Sequence, residues 1–530
     1  MSFHTSHVIT FFSILIVIRL LVLLVQAWLH PLRDVPGPFW ARFSRLWYLH
    51  AVSRGDFHKI NVGLHQKYDR TNAYGVPSGV GSVVRIAPGQ YSIDDPEAIK
   101  IIYSHSSPFV KAPWYLASAN ANPESHDLFT DRNPRRHSEN RRKVAALYSM
   151  TSLVAMEGYV SECTSVLFQR LSELAASAQT FDLQHWMQYY AFDVIGSITL
   201  QKRFGFLDVG ADQNGLIAAL HSYLVYSARV GVYSEWHPLL SKLVTLLPMS
   251  GISRLQAFAE QQISTASNNL GHEKDVSINV GQGGSFLTRL LKMHSDNPSK
   301  LTKADIFTTC ITNIGAGSDT TSVSLTSVMY HLMANPSKYE TLCAEIHEAD
   351  KQGNLSSPYI SFQEAQKLPY LQACIKEALR MHPATGLPLA RVVPEGGTTL
   401  CGRFFPAGSI VGVNAWVIHS NKSVFGADAE LYRPERWLES SELSSAMDRN
   451  FMAFGGGART CIGKNISLLE IGTLVPNLIR AFHFELVDQN LEPECENVWF
   501  VKQKNIRCKV RSLQVTSDSG KNVSVNDALG

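Results

Sequence analysis

The alternation of apolar and polar positions separates one continuous apolar segment from a long body of mixed periodicity. Residues 8–28, VITFFSILIVIRLLVLLVQAW, contain a single charged residue, Arg19. A helix that spans a bilayer needs about 20 predominantly apolar residues, so the segment predicts a single N-terminal transmembrane helix. One arginine is costly but tolerated among neighbours this apolar. A buried core helix and a cleaved secretory signal are the competing interpretations.

The residues that follow this segment indicate its orientation. Lysine and arginine are absent before Arg19, whereas several arginines follow the apolar run, so the positive-inside tendency predicts a cytosolic body. A proline-rich stretch comes next and cannot continue a helix. We therefore predict an anchor at 1–30, a hinge at 31–59, a main domain at 60–515 and a polar tail at 516–530. The arginines after the run are Arg33, Arg42, Arg45 and Arg54.

Helical periodicity dominates the main domain, with short β-branched runs between glycine and proline turn signals near its ends. This combination predicts a fold that is mainly α with small β-sheets. The candidate strands are Val83–Ile86, Tyr91–Ile93, Thr398–Leu400 and Ile410–Val413.

One predicted helix is unusually long. Thr302 and Asp305 have the spacing of a capping box, and the helical pattern continues to Asn335, where Pro336 ends it. Its centre, 315–321, reads GAGSDTT, and two glycines among small polar residues should weaken the helix there.

Composition and charge restrict the class of protein. The 530 residues are 45% hydrophobic and 18% charged with a net charge of +3, which is ordinary globular usage. No long run of like charge occurs, so nucleic acid is not an expected partner. Eight cysteines without a CxxC pair favour a reducing compartment.

The strongest chemical signal is the segment 454–463, FGGGARTCIG. An isolated cysteine is usually an inert buried thiol, but this segment resembles the haem-binding loop FxxGxRxCxG of cytochromes P-450. The resemblance implies a haem whose iron is bound by the thiolate of Cys461, with Phe454 near the sulfur and Arg459 paired with a propionate. Gly463 would let the following helix approach the porphyrin.

A second motif is Glu377-Ala378-Leu379-Arg380, followed later by Arg436. Periodicity alone places Glu377 and Arg380 on the polar face of a helix, where an exposed ion pair is the simplest interpretation. The resemblance instead implies that Glu377, Arg380 and Arg436 form the family's buried structural triad.

The centre of the long helix matches the family pattern (A/G)Gx(D/E)T(T/S) at residues 316–321. The resemblance implies that Thr320 and Asp319 deliver protons during oxygen activation and that Gly317 lies against the cofactor. A threonine bonded back to its own helix and an exposed aspartate are the alternative.

Three further residues resemble propionate partners. His137 and Arg141 lie where the family often has WxxxR, with histidine in place of tryptophan, and Arg391 follows the ExxR motif in an extended stretch. Each could equally be an ordinary surface residue.

The resemblance implies a haem-dependent monooxygenase that receives NADPH-derived electrons from NADPH-cytochrome P-450 reductase and inserts one oxygen atom of O2 into a small lipophilic substrate. It also implies a single-pass endoplasmic reticulum protein with a cytosolic catalytic domain. Substrate contacts are expected between Phe109 and Phe129, at 313–316 and at 384–390. Arg142, Lys143 and Lys464 could face the reductase.

Runs such as SPFVKAPWY are similar to those of filamentous-fungal enzymes of the pisatin demethylase type, many of which act in secondary metabolism. Two alternatives stay open. One is a haem-thiolate isomerase or dehydratase that does not use O2, and the other is a non-catalytic haem-binding membrane protein. The substrate itself depends on pocket shape and is not predicted.

Overall fold

The computed structural model describes residues 2–68, 82–119, 126–212, 215–245, 251–272, 284–513, 515–516 and 522–523. Helices form most of this part of the chain, and the strands are short, which confirms the predicted mainly α class with small sheets. The helices are α1 Ser2–Leu29, α2 Leu46–Ser53, α3 Phe57–Tyr68, α4 Pro96–Tyr103, α5 Pro134–Val144, α6 Met150–Val154, α7 Glu157–Ala176, α8 Leu183–Leu200, α9 Phe206–Val209, α10 Leu216–Gly231, α11 His237–Thr245, α12 Gly251–His272, α13 Phe286–Asp296, α14 Lys303–Met333, α15 Pro336–Lys351, α16 Phe362–Ala365, α17 Pro369–Met381, α18 Ala415–His419, α19 Lys422–Phe425, α20 Ser441–Asp448 and α21 Lys464–Ala481.

The strands are grouped in one five-stranded sheet and several smaller ones. The strands are β1 Val83–Ala87, β2 Gln90–Ile93, β3 Val110–Lys111, β4 Phe181–Asp182, β5 Arg391–Val392, β6 Thr398–Leu400, β7 Arg403–Phe405, β8 Ile410–Val413, β9 Phe482–Leu486, β10 Glu494–Val498, β11 Phe500–Lys504, β12 Arg507–Ser512, β13 Val515–Thr516 and β14 Asn522–Val523. In the five-stranded sheet, in the order β1-β2-β8-β5-β3, β2 and β8 pair in parallel and the other neighbours are antiparallel. A three-stranded sheet has the order β4-β12-β9, and the pairs β6-β7, β10-β11 and β13-β14 are antiparallel.

Helix α14 is the central element, and it begins where the sequence predicts. The Thr302 hydroxyl accepts from the Asp305 amide at 3.1 Å, and the Asp305 carboxylate accepts from the Thr302 amide at 2.9 Å. The helix packs against α8, α17 and α21. The helix is continuous through 315–321, so the glycines predicted to weaken it do not interrupt it, and the Ser318 hydroxyl bonds back to the Ile314 carbonyl at 3.0 Å.

The N-terminal residues form the helix α1, with apolar side chains such as Phe11 and Trp28 exposed. In the portion of the chain that the structure describes, no helix meets the length and apolarity expected of a membrane span. The predicted hinge packs on the domain through backbone and side-chain bonds from Arg85, including a 2.7 Å bond from its amide to the Pro36 carbonyl. Of the predicted tail at 516–530, only residues 516, 522 and 523 fall within the described residues.

Candidate functional site

The loop before α21 fixes the backbone of Cys461. The Cys461 amide donates to the Phe454 carbonyl at 2.9 Å, and the Thr460 hydroxyl donates to the same oxygen at 3.2 Å. Phe454 is half-buried against the main core. The loop therefore closes on itself and presents Cys461 immediately before the first turn of α21.

Two glycines of the loop have backbone conformations that other residues rarely adopt. Gly455 and Gly457 have φ values of +69° and +59°. A Cβ at Gly457 would also overlap the carbonyl oxygen of Tyr103 in α4. Gly463, in contrast, has φ −81°, and a Cβ there would lie 3.9 Å from the Cys461 sulfur, an ordinary van der Waals distance, so among the described residues neither the backbone conformation nor a close contact requires glycine at this position.

Opposing influences act on the Cys461 thiol. Burial raises its pKa above the ordinary thiol value, while hydrogen bonds from the Gly463 and Lys464 amides and the charges of Arg141 and Lys464 lower it. The side chain is nevertheless accessible to solvent, so it is not packed into the core. Amides and cations directed at a sulfur are the environment that stabilises a thiolate.

Helix α14 lies close to the helix that follows the cysteine loop. The hydroxyls of Thr321 and Ser467 are 2.8 Å apart, joining α14 to α21. Midway along α14 one face is uncovered: Ala316 is exposed, and a Cβ at Gly315 would meet nothing within 4 Å. Thr320 is on this face, and its hydroxyl donates to the Ala316 carbonyl at 2.7 Å.

The neighbours of Thr320 in the motif face other elements. Asp319 is fully buried, 2.6 Å from Gln188 of α8 and 2.6 Å from Lys502 of β11. A Cβ at Gly317 would meet Ile195 of α8 at 2.9 Å. Close packing of α8 on α14 is therefore sufficient reason for a glycine at 317, and its contact with the cofactor stays a prediction.

The remaining predicted cations gather near the cysteine loop. Arg141 donates to the Thr460 carbonyl at 2.9 Å, and Arg459 donates to the Asp131 carbonyl at 2.7 Å. Arg391 is buried and donates to the Tyr115 hydroxyl at 3.4 Å. Backbone and hydroxyl acceptors carry no full charge, so these bonds do not neutralise the arginines; of the aspartates nearby, the charge of Asp131 raises the pKa of Arg459 but does not outweigh burial and Arg391.

The basic residues near the cysteine loop are close enough for their charges to lower one another's pKa. Burial, followed by the charge of Arg391, lowers the pKa of Arg459 to about 10. Burial and the charges of Arg459, Lys111 and Arg141 lower the pKa of His137 to about 3. The cluster therefore combines a buried neutral histidine with two buried and two half-buried basic residues, and we call His137, Arg141, Arg391, Arg459 and Lys111 the basic cluster.

Lys111 is the member that the sequence analysis missed. It is buried in β3, donates to the Phe129 carbonyl, and lies over the rings of Tyr115 and Phe129 at 4.7 and 4.9 Å. Burial and the charges of Arg391 and Arg459 lower its pKa well below the ordinary lysine value. A lysine in a short apolar run gives no local signal of burial, since its partners lie elsewhere in the sequence.

Glu377, Arg380 and Arg436 meet in the interior. Arg380 donates twice to the Glu377 carboxylate at 2.8 Å, and Arg436 donates to it at 2.8 Å. The Trp437 indole and the Arg433 amide add bonds at 2.9 and 3.0 Å. The exposed ion pair that periodicity favours is therefore wrong, because residues 419–437 cover this face of α17.

Several other expected positions have different surroundings. The Asn313 side chain accepts from the Tyr148 hydroxyl at 2.6 Å and is buried, so it is not free to meet a substrate. Lys143 pairs with Asp305 at 3.3 Å, whereas Arg142 and Lys464 are exposed. Part of the expected substrate region, 120–125, lies outside the described residues.

Comparison with known proteins gives a consistent family. The family model described as cytochrome P-450 matches residues 35–510. Pisatin demethylase of Fusarium vanettenii is 38% identical over 485 residues, covering 91% of this chain and 90% of the relative. The cytochrome P-450 monooxygenases cicH of Emericella nidulans and gsfF of Penicillium aethiopicum are 35% and 36% identical over 495 and 490 residues, each covering 91% of this chain and 94% of the relative.

Proposed function

Because the chain belongs to the cytochrome P-450 family and is a haem-dependent monooxygenase, we propose that Cys461 is the residue that binds the haem iron. The observation that carries this proposal is the cysteine loop: Cys461 is an exposed residue, and its thiol receives hydrogen bonds from the amides of Gly463 and Lys464 at the start of α21. Phe454, at the start of this loop, packs against the main core, and the absence of a side chain at Gly463 would leave room beside the thiol for the porphyrin.

The basic cluster fits the two carboxylates of the same cofactor. Lys111 and Arg391 are buried and Arg459 is half-buried, burial and the charge of Arg391 lower the pKa of the other two, and the hydrogen-bond acceptors of all three are carbonyl and hydroxyl oxygens, an arrangement that anions in the same site would stabilise. Two propionates would supply those anions. Arg459, Arg391 and Arg141 can offer charge-assisted bonds, His137 a neutral donor, and Lys111 a further cation.

Haem bound here supplies an iron whose thiolate ligand favours cleavage of the O–O bond. The protein's own residues then control protons and water. The Thr320 hydroxyl is on the uncovered face of α14 and can relay a proton, and Asp319, one residue earlier, is the acid that supplies it. Glu377, Arg380 and Arg436 act on the fold and take no part in proton transfer.

The proposed substrate is a small lipophilic molecule of fungal secondary metabolism. Its support is the similarity to pisatin demethylase and to monooxygenases of other filamentous fungi. An aromatic cluster beside the basic cluster, in which Trp114 stacks on Trp499 at 4.6 Å and contacts Tyr115 at 5.3 Å, provides apolar surface near the expected 109–129 region.

The proposed electron donor is NADPH-cytochrome P-450 reductase. Arg142 and Lys464 are exposed near the cysteine loop and can face an acidic reductase surface. Lys143 is a weaker candidate than expected, because its ammonium pairs with Asp305.

We also propose that residues 1–30 anchor a cytosolic catalytic domain, residues 60–515, to the endoplasmic reticulum membrane. The near-continuous apolar sequence of α1, its exposed apolar side chains and the arginines that follow support this orientation. Membrane flotation of the full chain, compared with a chain lacking residues 1–30, tests it.

The decisive experiment on the cofactor is a Cys461→Ser variant with Cys343→Ser as the matched control. Cys343 is half-buried in α15, far along the chain from the cysteine loop. The reduced carbon monoxide complex should show the long-wavelength Soret band of thiolate ligation in the control and not in Cys461→Ser. Persistence of that band in Cys461→Ser would assign the iron to another ligand.

The reaction is tested with the reconstituted pair of this enzyme and its reductase. Oxygenated product should form only when NADPH, reductase and O2 are all present. Comparison of the metabolites of strains with and without the protein supplies the substrate, since the precursor accumulates in the strain that lacks it.

A further inference from the structure

The carboxylate of Asp319 is held by side chains from two other elements. Gln188 of α8 donates to one oxygen at 2.6 Å, and the Lys502 ammonium of β11 is 2.6 Å from the other. Asp319 is fully buried, and the side chain of Lys502 is 15% exposed. A buried carboxylate is stable only when it is paired, so these two residues determine where Asp319 points.

Ionisable groups continue from Lys502 to the protein surface along the hairpin β10–β11. Glu496 of β10 is directly opposite Lys502 in the strand register, which places their Cβ atoms at roughly 5 Å. The Glu496 carboxylate pairs with Lys504 at 2.6 Å and lies 3.7 Å from His221 of α10. The exposed fraction of the side chains rises outward from 15% at Lys502 to 30% at Glu496 and 50% at Lys504.

These groups also interact electrostatically. Burial, followed by the charge of Lys502, lowers the pKa of His221, and the charges of Glu496 and Asp319 oppose that change. Burial acts to raise the pKa of the Glu496 carboxyl, but the hydrogen bond from Lys504 and the charges of His221, Lys504 and Lys502 outweigh it, so the pKa is lowered. Gln503, the residue after Lys502 in β11, donates to the Val323 carbonyl of α14 at 3.1 Å, so this strand is fixed against the helix that carries Asp319.

We propose that Lys502 is a positioning residue: its ammonium holds the Asp319 carboxylate in place, and protons for oxygen activation reach that carboxylate from solvent along the hairpin β10–β11. This rests on the proposed proton-delivery function of Asp319. In each transfer an O–H bond forms on Asp319 with a proton from solvent, and the same bond breaks when Asp319 gives the proton toward the Thr320 hydroxyl, while the Lys502 ammonium keeps its own protons.

The first test measures NADPH oxidation by the reconstituted holoenzyme and reductase without added substrate. Reduction of O2 to peroxide or to water consumes protons, so the assay needs no identified substrate. Lys502→Met should lower the rate about tenfold and enlarge the solvent deuterium isotope effect. Lys502→Arg should restore both, and Lys509→Met, an exposed lysine of β12, should match the wild type. Equal rates and isotope effects in Lys502→Met and Lys509→Met would overturn the proposal.

The second test does not depend on turnover and measures the urea midpoint of unfolding. Lys502→Met should lower the midpoint because it leaves Asp319 buried without its cation, and adding Asp319→Asn should recover most of the loss. Independent effects of the two substitutions would refute the pairing. The Soret band of the carbon monoxide complex distinguishes failure of the proposed function from failure of this inference. Absence of the band in the wild type would refute the haem assignment. A normal band together with an unchanged isotope effect in Lys502→Met would refute only the role of Lys502.

Discussion

Replacing Glu377 by glutamine removes the negative charge shared by two buried guanidinium groups while keeping the size of the side chain. The carboxylate accepts five hydrogen bonds, from two atoms of Arg380 and from Arg436, Trp437 and the Arg433 amide. Arg380 and Arg436 are each about 1% exposed at the side chain, so solvent cannot replace the lost charge. Breaking a buried ion pair from one side costs about 3–5 kcal/mol.

A surface ion pair nearby provides the control. Glu439 pairs with Arg433, and its side chain is 46% exposed. Glu439→Gln should therefore change the free energy of unfolding by less than about 1 kcal/mol. Both variants should be unfolded in urea as holoenzymes, with tryptophan fluorescence as the signal, since Trp437 bonds Glu377 directly. If Glu377→Gln costs no more than Glu439→Gln, the interior triad does not stabilise this fold as described.

Three further changes test other parts of the structure. Thr320→Ala should raise the share of hydrogen peroxide per NADPH consumed while substrate binding, measured by spectral titration, stays the same; unchanged coupling would exclude proton delivery by its hydroxyl. Gly457→Ala should prevent recovery of haem-loaded protein, because its Cβ would overlap the Tyr103 carbonyl, whereas Gly63→Ala, with open space around its Cβ, should be tolerated. Burial lowers the pKa of His58 from 6.5 to about 3. Between these two pH values the unfolded chain binds a proton at His58 and the folded protein does not. The stability that is fully present above pH 6.5 is therefore lost as the pH falls toward 3. In His58→Phe the free energy of unfolding, measured with urea at pH 7 and pH 5, should fall by up to about 2 kcal/mol less between the two pH values than in the wild type. An equal fall in both proteins would contradict the lowered pKa of His58.

The sequence predicts best those features that depend on neighbours along the chain. Helix α14 begins at its predicted capping box, and the glycines of the cysteine loop stand where the backbone turns. Four short strands also fall within a residue or so of their predicted bounds. In each case the local backbone preference and the final structure agree, so no distant contact was needed to make the prediction.

Contacts between residues that are distant in the sequence are predicted poorly. Helical periodicity marks the Glu377 side of α17 as polar, but it cannot show that residues 419–437 fold over that side. The motif around Asp319 predicts a proton-relay acid, but it does not predict the partner Lys502, which lies on a strand with no motif of its own. Lys111 is similar, because only the fold brings it beside Arg391 and Arg459. The membrane anchor stays a prediction from sequence.

The interior arginines also determine the shape of a loop. Arg380 donates to the carbonyls of His419 and Ala429 at 2.8 and 2.7 Å, and Arg436 donates to those of Phe425 and Asp428. Connecting segments usually accept added or deleted residues. Here each carbonyl must reach a fixed guanidinium, so inserting even one residue between 419 and 437 would misalign every later acceptor. The length of this loop should therefore be as constrained as that of a core helix.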